Sequence, residues 1–334
     1  MNRSAVTLVL LGAFFLALTA DLLWFGRLER LIERQANHQD KPQTVLNLGA
    51  NAWLGYEPLF FARKLGFYNN EEIRLVEYTS ATMVIKAFKN GVINAATLTM
   101  DEVLLLAETD EDFKVVLLCD ISKGGDSILA KPDYKDLKSL AGKRIGLEQS
   151  ALGGFFFSRA LDIEGLTPDQ FQLVYLEADE HEQAFLKGEV EAVVTFEPIR
   201  TRLIKKGANQ VFSSAAIPNE IIDVLVIRNS VIEQNGAIIS QLLEGWFAAL
   251  QTQESDLDQA ALIYGDRMGL DPSEIRATLG GISQPNRQEN ARLMSGSPPP
   301  LAEQIGWLDA YLRKNQLIYK KLDLKTLLEP RFVQ

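Results

Sequence analysis

Two segments of this chain share one layout at a separation of 97 residues. Residues 88–101 read FKNGVINAATLTMD, and residues 185–198 read FLKGEVEAVVTFEP. Each leaves a helix through a turn bearing Lys and Gly, enters a short apolar strand, and passes through a polar turn into the next helix. A supersecondary unit repeated at this distance predicts two similar lobes, each presenting a loop to one cleft. A length of 334 residues accommodates two domains.

The pattern around the repeats reads as α/β. Strands are expected at 44–48, 73–78, 94–98 and 113–119, alternating with helices at 57–65, 82–89 and 101–108. That order gives βαβ units and a parallel sheet. A second alternation follows, with strands at 144–147, 172–175 and 191–195 and helices at 151–163, 180–186 and 198–205. From residue 241 the chain is mostly helical, at 241–251, 257–268, 272–279, 286–293 and 301–315. Segments 124–131 and 221–229 are placed to cross between lobes. If both cross, the first lobe is discontinuous, built from 44–125 and 224–334, with 126–223 inserted as the second. Two crossings make a hinge that permits closure around a ligand.

The N-terminus carries Arg3, an uncharged apolar run over 4–20, then Asp21 and a further apolar patch over 22–25. Residues 1–26 fit a cleaved signal peptide, although Leu18 is large for the position three before a cut after Ala20. They also fit a retained membrane anchor with Trp24 at the interface. Both readings put the body outside the cytoplasm. Residues 27–43 form a polar stalk or linker.

Several classes are excluded. The net charge of −10 argues against nucleic acid as a partner, because phosphate binding needs a basic face. The single cysteine, Cys119, forbids an internal disulfide and reads as a buried thiol in a strand. His38 and His181 are the only histidines, and neither stands in a metal-ligand spacing. No Walker loop, catalytic triad or cofactor fingerprint is present. The Gly pairs at 153–154 and 280–281 are too isolated for phosphate binding.

The best candidate site starts in residues 52–68, AWLGYEPLFFARKLGFY. An aromatic-bearing turn between a strand's carboxyl end and a helix N-terminus is a ligand position in open α/β sheets. Trp53 and Tyr56 offer flat faces with polar handles, suited to walling a small ligand. Ser80 and Thr82 (in 79–82, TSAT) and Thr99 sit where strands meet helices. They serve as ligand contacts or as plain helix caps. Glu197 occupies the turn that matches Met100 in the repeat, as a ligand contact or a solvated charge. Carboxylates at positions 57, 126, 148, 197 and 223 crowd the expected cleft, while Lys123 and Arg200 are its only bases. That balance favours a ligand with an amine or amidine-like donor over bare nitrate.

The residues that follow, taken together, resemble a known family. They are Trp53, Gly55, Tyr56 and Pro58, then Gly66-Phe67-Tyr68 and GVINA over 91–95. In the second half they are DLKSLAGKRIG over 136–146, Phe196-Glu197-Pro198 and DVLVIR over 223–228. The closing layout, 283–317 with PRFV at 330–333, completes the set. The chain resembles the solute-binding proteins of ABC importers, in the branch for taurine, alkylsulfonates, nitrate or bicarbonate, and thiamine-pyrimidine precursors. The resemblance covers 44–333. It implies a type II periplasmic-binding fold of two α/β lobes on a two-strand hinge, and ligand capture without chemistry or cofactor. It implies a periplasmic body, tied to the inner membrane through residues 4–25 if the anchor is kept, and an ABC permease as partner. It turns the backbone amides around Gln149 and Ser150 toward the cleft. It also makes Asp223 a contact for a ligand amine, with a hinge hydrogen bond as the alternative. The expected ligand is a small polar solute, taurine/sulfonate-like or aminopyrimidine-like. A membrane-anchored ligand sensor with a signalling partner is the alternative function. Pyrimidine synthases share the fold, but the cysteine-rich motif and the histidine that mark them are missing here.

Overall fold

Residues 45–148 and 151–334 are described in the structure, a computed structural model. The apolar N-terminal run, the 27–43 linker, Gln149 and Ser150 lie outside them.

The first alternation folds as its pattern dictates: β1 (Leu46–Asn51), α1 (Glu57–Leu65), β2 (Ile73–Tyr78), α2 (Ala81–Lys89), β3 (Ala95–Thr99), α3 (Met100–Ala107) and β4 (Phe113–Ser122). Pro58 lies in the first turn of α1, where its missing N–H is no loss. Gly66 ends the helix at φ 73°, a left-handed conformation that a Cβ would strain. Between them Leu59, Phe60, Phe61 and Ala62 are buried. The second series is β5 (Asp126–Ala130), β6 (Arg144–Leu147), α4 (Ala151–Glu164), β7 (Gln172–Tyr175), α5 (His181–Lys187), β8 (Ala192–Phe196), α6 (Ile199–Lys205) and β9 (Asn209–Ser213). Strand β10 (Ile222–Arg228) follows. The remainder is α7 (Asn229–Gln234), α8 (Gly236–Ser255), α9 (Leu257–Met268), α10 (Pro272–Leu279), β11 (Ile282–Ser283), α11 (Arg287–Met294) and α12 (Pro300–Lys314).

The strands form two sheets, ordered β11-β4-β10-β3-β1-β2 and β7-β6-β8-β5-β9. Neither is purely parallel, which corrects the expectation from the alternation. Strand β10 runs antiparallel to β3 and β4, and β5 runs antiparallel to β8 and β9. These are the strands that enter a sheet from the other half of the chain, so no helix crossover sets their direction. The two repeated segments supply β3 and β8. Each lies between a parallel neighbour (β1 or β6) and an antiparallel one (β10 or β5). The repeat therefore occupies equivalent positions in the two sheets, and all five residues of each strand are buried.

The chain passes between the sheets twice, from β4 to β5 and from β9 to β10. Ser214 joins the two passages. Its hydroxyl lies 2.7 Å from Ser122 Oγ and accepts the Gly124 N–H at 2.7 Å and the Asp126 N–H at 3.4 Å. Ser122 in turn donates its N–H to the Ile221 carbonyl.

Beneath the six-stranded sheet, Trp246 of α8 and Tyr264 of α9 are fully buried, and Phe61 meets Tyr264 edge-on at 5.5 Å. Asn290 of α11 docks its side chain onto β4. Its Oδ1 accepts the Leu118 N–H at 2.8 Å, and its Nδ2 donates to the Leu118 carbonyl at 3.1 Å. Among the described residues, no helix is long and apolar enough to cross a membrane.

Candidate functional site

The carboxyl ends of β1, β3, β6 and β8 point to one region, and the amino ends of β5 and β10 arrive there from the opposite direction. Register places Asp223 between Thr99 and Asp120 across β3, β10 and β4. In the other sheet, Asp126 pairs with Phe196. The space between these ends is a tight cleft of about 20 Å³. Asn51, Trp53, Tyr56, Ala81, Thr99 and Glu102 line one side, with Asp223. Asp126, Glu148, Leu152 and Phe196 line the other. In this arrangement it has room for about one water molecule, so a ligand enters only if the walls part.

The two aromatic residues of the 52–68 segment are tied to carboxylates. Trp53 Nε1 donates to Asp120 Oδ2 at 3.0 Å, and its ring meets Phe196 edge-on at 5.9 Å. Tyr56 Oη donates to Asp223 Oδ1 at 2.5 Å. The turn between them must be glycine. A Cβ on Gly55 would lie 1.7 Å from Asp120 Oδ2 and 2.5 Å from Trp53 Nε1. Gly125 opens the opposite side of the indole, where a Cβ would lie 2.6 Å from Trp53 Cη2.

Glu102 accepts the Thr99 N–H through Oε2 at 3.0 Å. Glu148 reaches across the cleft, where its Oε1 accepts the N–H and the hydroxyl of Thr82 at 2.8 and 2.9 Å. Four buried oxygens on the cleft wall keep no partner: Thr99 Oγ1, Glu102 Oε1, Asp126 Oδ2 and Asp223 Oδ2. Among the described residues, no Lys or Arg lines this space, and no group of three His, Cys, Asp or Glu is spaced to hold a metal ion.

The charges on this wall are held in an unusual state. Burial pushes Asp126 up to about 7; a Ser122 hydrogen bond opposes the shift, and the charge of Glu197 adds to it. Burial also raises Asp223 and Glu102 well above the usual carboxylate range, reinforced by Asp120 for the first and by Asp101 and Glu148 for the second. Behind the lining, burial takes Asp120 to about 8 and Asp101 to about 7. Desolvation raises Glu148 in the same direction.

A narrow recess of about 10 Å³ shares Asp126, Glu148, Leu152 and Phe196 with the cleft. It continues past Phe156 and Val194 to His181. His181 Nδ1 lies 3.2 Å from Thr195 Oγ1, and burial lowers the imidazole to about 4, so it is neutral near pH 7.

Of the residues chosen from sequence, Trp53, Tyr56, Thr99 and Asp223 meet in the cleft. Ser80 caps α2 by accepting the Met83 N–H, and its neighbour Ala81 is the residue on the wall. Thr82 is engaged with Glu148. Glu197 is turned away, because it forms an ion pair with Arg200 at 2.8 Å and accepts both the N–H and the hydroxyl of Thr201. Phe196, one residue earlier, takes the place on the wall. Glu57 is held by Arg267 at 2.9 Å rather than facing the cleft. Cys119 is buried in β4, as its apolar surroundings predict. Sequence reasoning missed Glu102 and Asp120. The available signal was an acid embedded in an otherwise apolar run, MDEVLLLA and VVLLCD, since unpaired carboxylates are almost never buried by default.

The NMT1-like family model matches residues 39–263 of the chain. A protein of Bacillus subtilis (strain 168), provisionally described as aliphatic sulfonates-binding, is 22% identical over 286 residues, 83% of this chain and 84% of its own length. Among solved structures, the alkanesulfonate-binding protein SsuA from Xanthomonas axonopodis pv. citri, bound to MOPS, superposes with a TM-score of 0.73 at 16% identity. The match covers 86% of this chain and 98% of that one. The desulfurization enzyme DSZB superposes with a TM-score of 0.63 at 16% identity, over 86% of this chain and 97% of its own. The α/β fold is thus that of periplasmic binding proteins, and it is also used by an enzyme.

Proposed function

Because this chain belongs to the NMT1-like family, we propose that it captures a small polar solute outside the cytoplasm and delivers it to an ABC importer. The observation that carries this reading is the cleft between the sheet ends, where two aromatic residues meet three buried carboxyl oxygens left open. The sulfonate-binding descriptions of similar proteins support the receptor role. The two sheets act as two lobes, one built from 45–125 and from β10 onward, the other from 126 to the end of β9. The paired passages joined by Ser214 are the hinge on which they close. The apolar residues 4–25 serve export or anchoring.

Capture without chemistry fits the lining better than catalysis does. Cys119, the one thiol, is shut inside β4, where burial raises its pKa and removes the thiolate that would attack. His181 has no nucleophile beside it other than the Thr195 hydroxyl, which sits within a buried strand.

A thermal-shift screen of the full-length protein tests the function. The panel holds taurine, alkylsulfonates, nitrate, bicarbonate, aminopyrimidines, thiamine, polyamines and amino acids. A ligand that binds only the folded state raises the melting temperature by mass action. A shift with one compound class, lost in Trp53→Ala, supports a receptor using this cleft. No shift with any member counts against it.

A further inference from the structure

Glu102, Asp126 and Asp223 are each at most 3% exposed, line one cleft, and each keep one buried oxygen without a hydrogen bond. An acceptor left unpaired in a protein interior costs about 1–3 kcal/mol. A fold that gathers three around one space leaves them for donors that arrive with the ligand.

Of the two bases expected here, Lys123 is exposed and is not on the cleft wall. Arg200 is bound to Glu197, Ser127 and Gln210. Arg267 is bound to Glu57 and Glu77. His181 is neutral. Asp101 and Asp120 are buried behind the lining carboxylates, so carboxyl groups line or back the cleft from α3, β4, β5, β10 and the end of β6. Once these carboxyls are ionised, a sulfonate or nitrate would enter against their field with no cationic donor to meet it. A cation meets an acceptor set and an aromatic wall, Trp53 and Tyr56, of the kind that holds positive charge.

We propose that the ligand is a small organic cation with N–H donors, an ammonium, an amidinium or a protonated aminoheterocycle. Its N–H groups go to the free oxygens of Glu102, Asp126 and Asp223, and Trp53 covers its apolar part. The proposal rests on the receptor reading above and separates this chain from the sulfonate-binding proteins it resembles.

Titration calorimetry on the full-length protein at alkaline pH decides it. One set of probes is putrescine, agmatine, ethanolamine, histamine and 4-aminopyrimidine. The other is ethanesulfonate and nitrate, each taken to about 10 mM, where even weak binding of a few kcal/mol registers. At least one amine binds and neither anion does. Asp223→Asn and Asp126→Asn, checked for folding by circular dichroism, each weaken that amine by about tenfold or more. If an anion binds and no amine does, the cation class is wrong and the receptor reading stands. If neither set binds, both fall. An amine that binds both folded variants as tightly as wild type also overturns the proposal.

Discussion

Thr82 donates its backbone N–H and its hydroxyl to the same oxygen of Glu148, at 2.8 and 2.9 Å, and so joins α2 beside one sheet to the end of β6 in the other. The bridge joins the two walls beside the cleft. If it gates the cleft, a ligand inside leaves only after this contact breaks.

Thr82→Val keeps the N–H and removes the hydroxyl. Hydrogen bonds to charged groups contribute about 1.5–3 kcal/mol, so ligand release should be about tenfold faster, with the association rate little changed. Stopped-flow tryptophan fluorescence measures both rates. An unchanged release rate would show that the bridge does not gate the cleft.

Tyr56→Phe strips the one hydrogen bond from Asp223 Oδ1 and leaves a buried carboxyl with both oxygens open. Stability should fall by about 1–3 kcal/mol in urea titrations. Adding Asp223→Asn should restore part of the loss, because the amide places no charge in the interior. If the double variant is less stable than the single, the Asp223 carboxyl is not the source of the cost.

Gly55→Ala pushes a methyl group into Asp120 and the Trp53 indole. The expected result is a lower melting temperature, displaced Trp53 fluorescence and loss of ligand binding. Gly306→Ala is the control. Its Cβ would meet only Leu324 Cδ1 at 3.9 Å, inside helix α12, so it should stabilise by about 0.5–1 kcal/mol.

Asn290→Leu leaves the Leu118 N–H buried without an acceptor. A loss of about 2–4 kcal/mol is expected, with ligand affinity kept at temperatures where the fold survives. Denaturant midpoints and calorimetry on the same sample separate the two effects.

The ligand-free protein should lose stability as pH rises past neutrality. Asp126 and Asp101 are held near 7 and Asp120 near 8, all above their ordinary value of 3.8. The folded state therefore keeps protons that the unfolded chain gives up first. Stability from these groups is complete below about pH 4 and is lost as pH climbs through 7 and 8. Glu102, Glu148 and Asp223 act in the same direction. Tyr56 lines the same cleft, Glu197 lies behind it paired to Arg200, and His181 lies in the adjoining recess. The histidine, lowered to about 4, opposes them by costing stability below its ordinary value of 6.5. With six carboxyls against one histidine, the optimum should fall well on the acid side of neutrality. The melting temperature at pH 8.5 should be about 5 °C or more below that at pH 6.5. A flat profile would mean that these carboxyls are solvated.

Much of this architecture could be read in advance because local signals were strong. Helix α1 has the bounds that Pro58 and Gly66 announce, and β2, β7, α9 and α10 fall where the pattern puts them. Strand β9 was not foreseen, because its NQVFS holds one buried residue and no sustained alternation. The direction of β5 and β10 was also hidden. It depends on how the chain returns between sheets, and periodicity carries no record of that. Trp53, Tyr56, Thr99 and Asp223 were legible because they sit at strand ends next to turns. Glu197 looked equivalent to them, but Arg200 one helical turn on turns its carboxylate away. Glu102 and Asp120 were concealed by the leucines and valines around them.

Ser214 has one further consequence. A single oxygen gathers contacts from Ser122, Gly124 and Asp126, and beside it the Ser122 N–H meets the Ile221 carbonyl, so the two passages between the sheets are fastened to each other. If the halves of the molecule move, they have little freedom to slide past each other, and their motion reduces to a bend at this paired crossing. One angle then describes the whole excursion, and a single pair of spectroscopic labels, one on each side of the cleft mouth, would follow it.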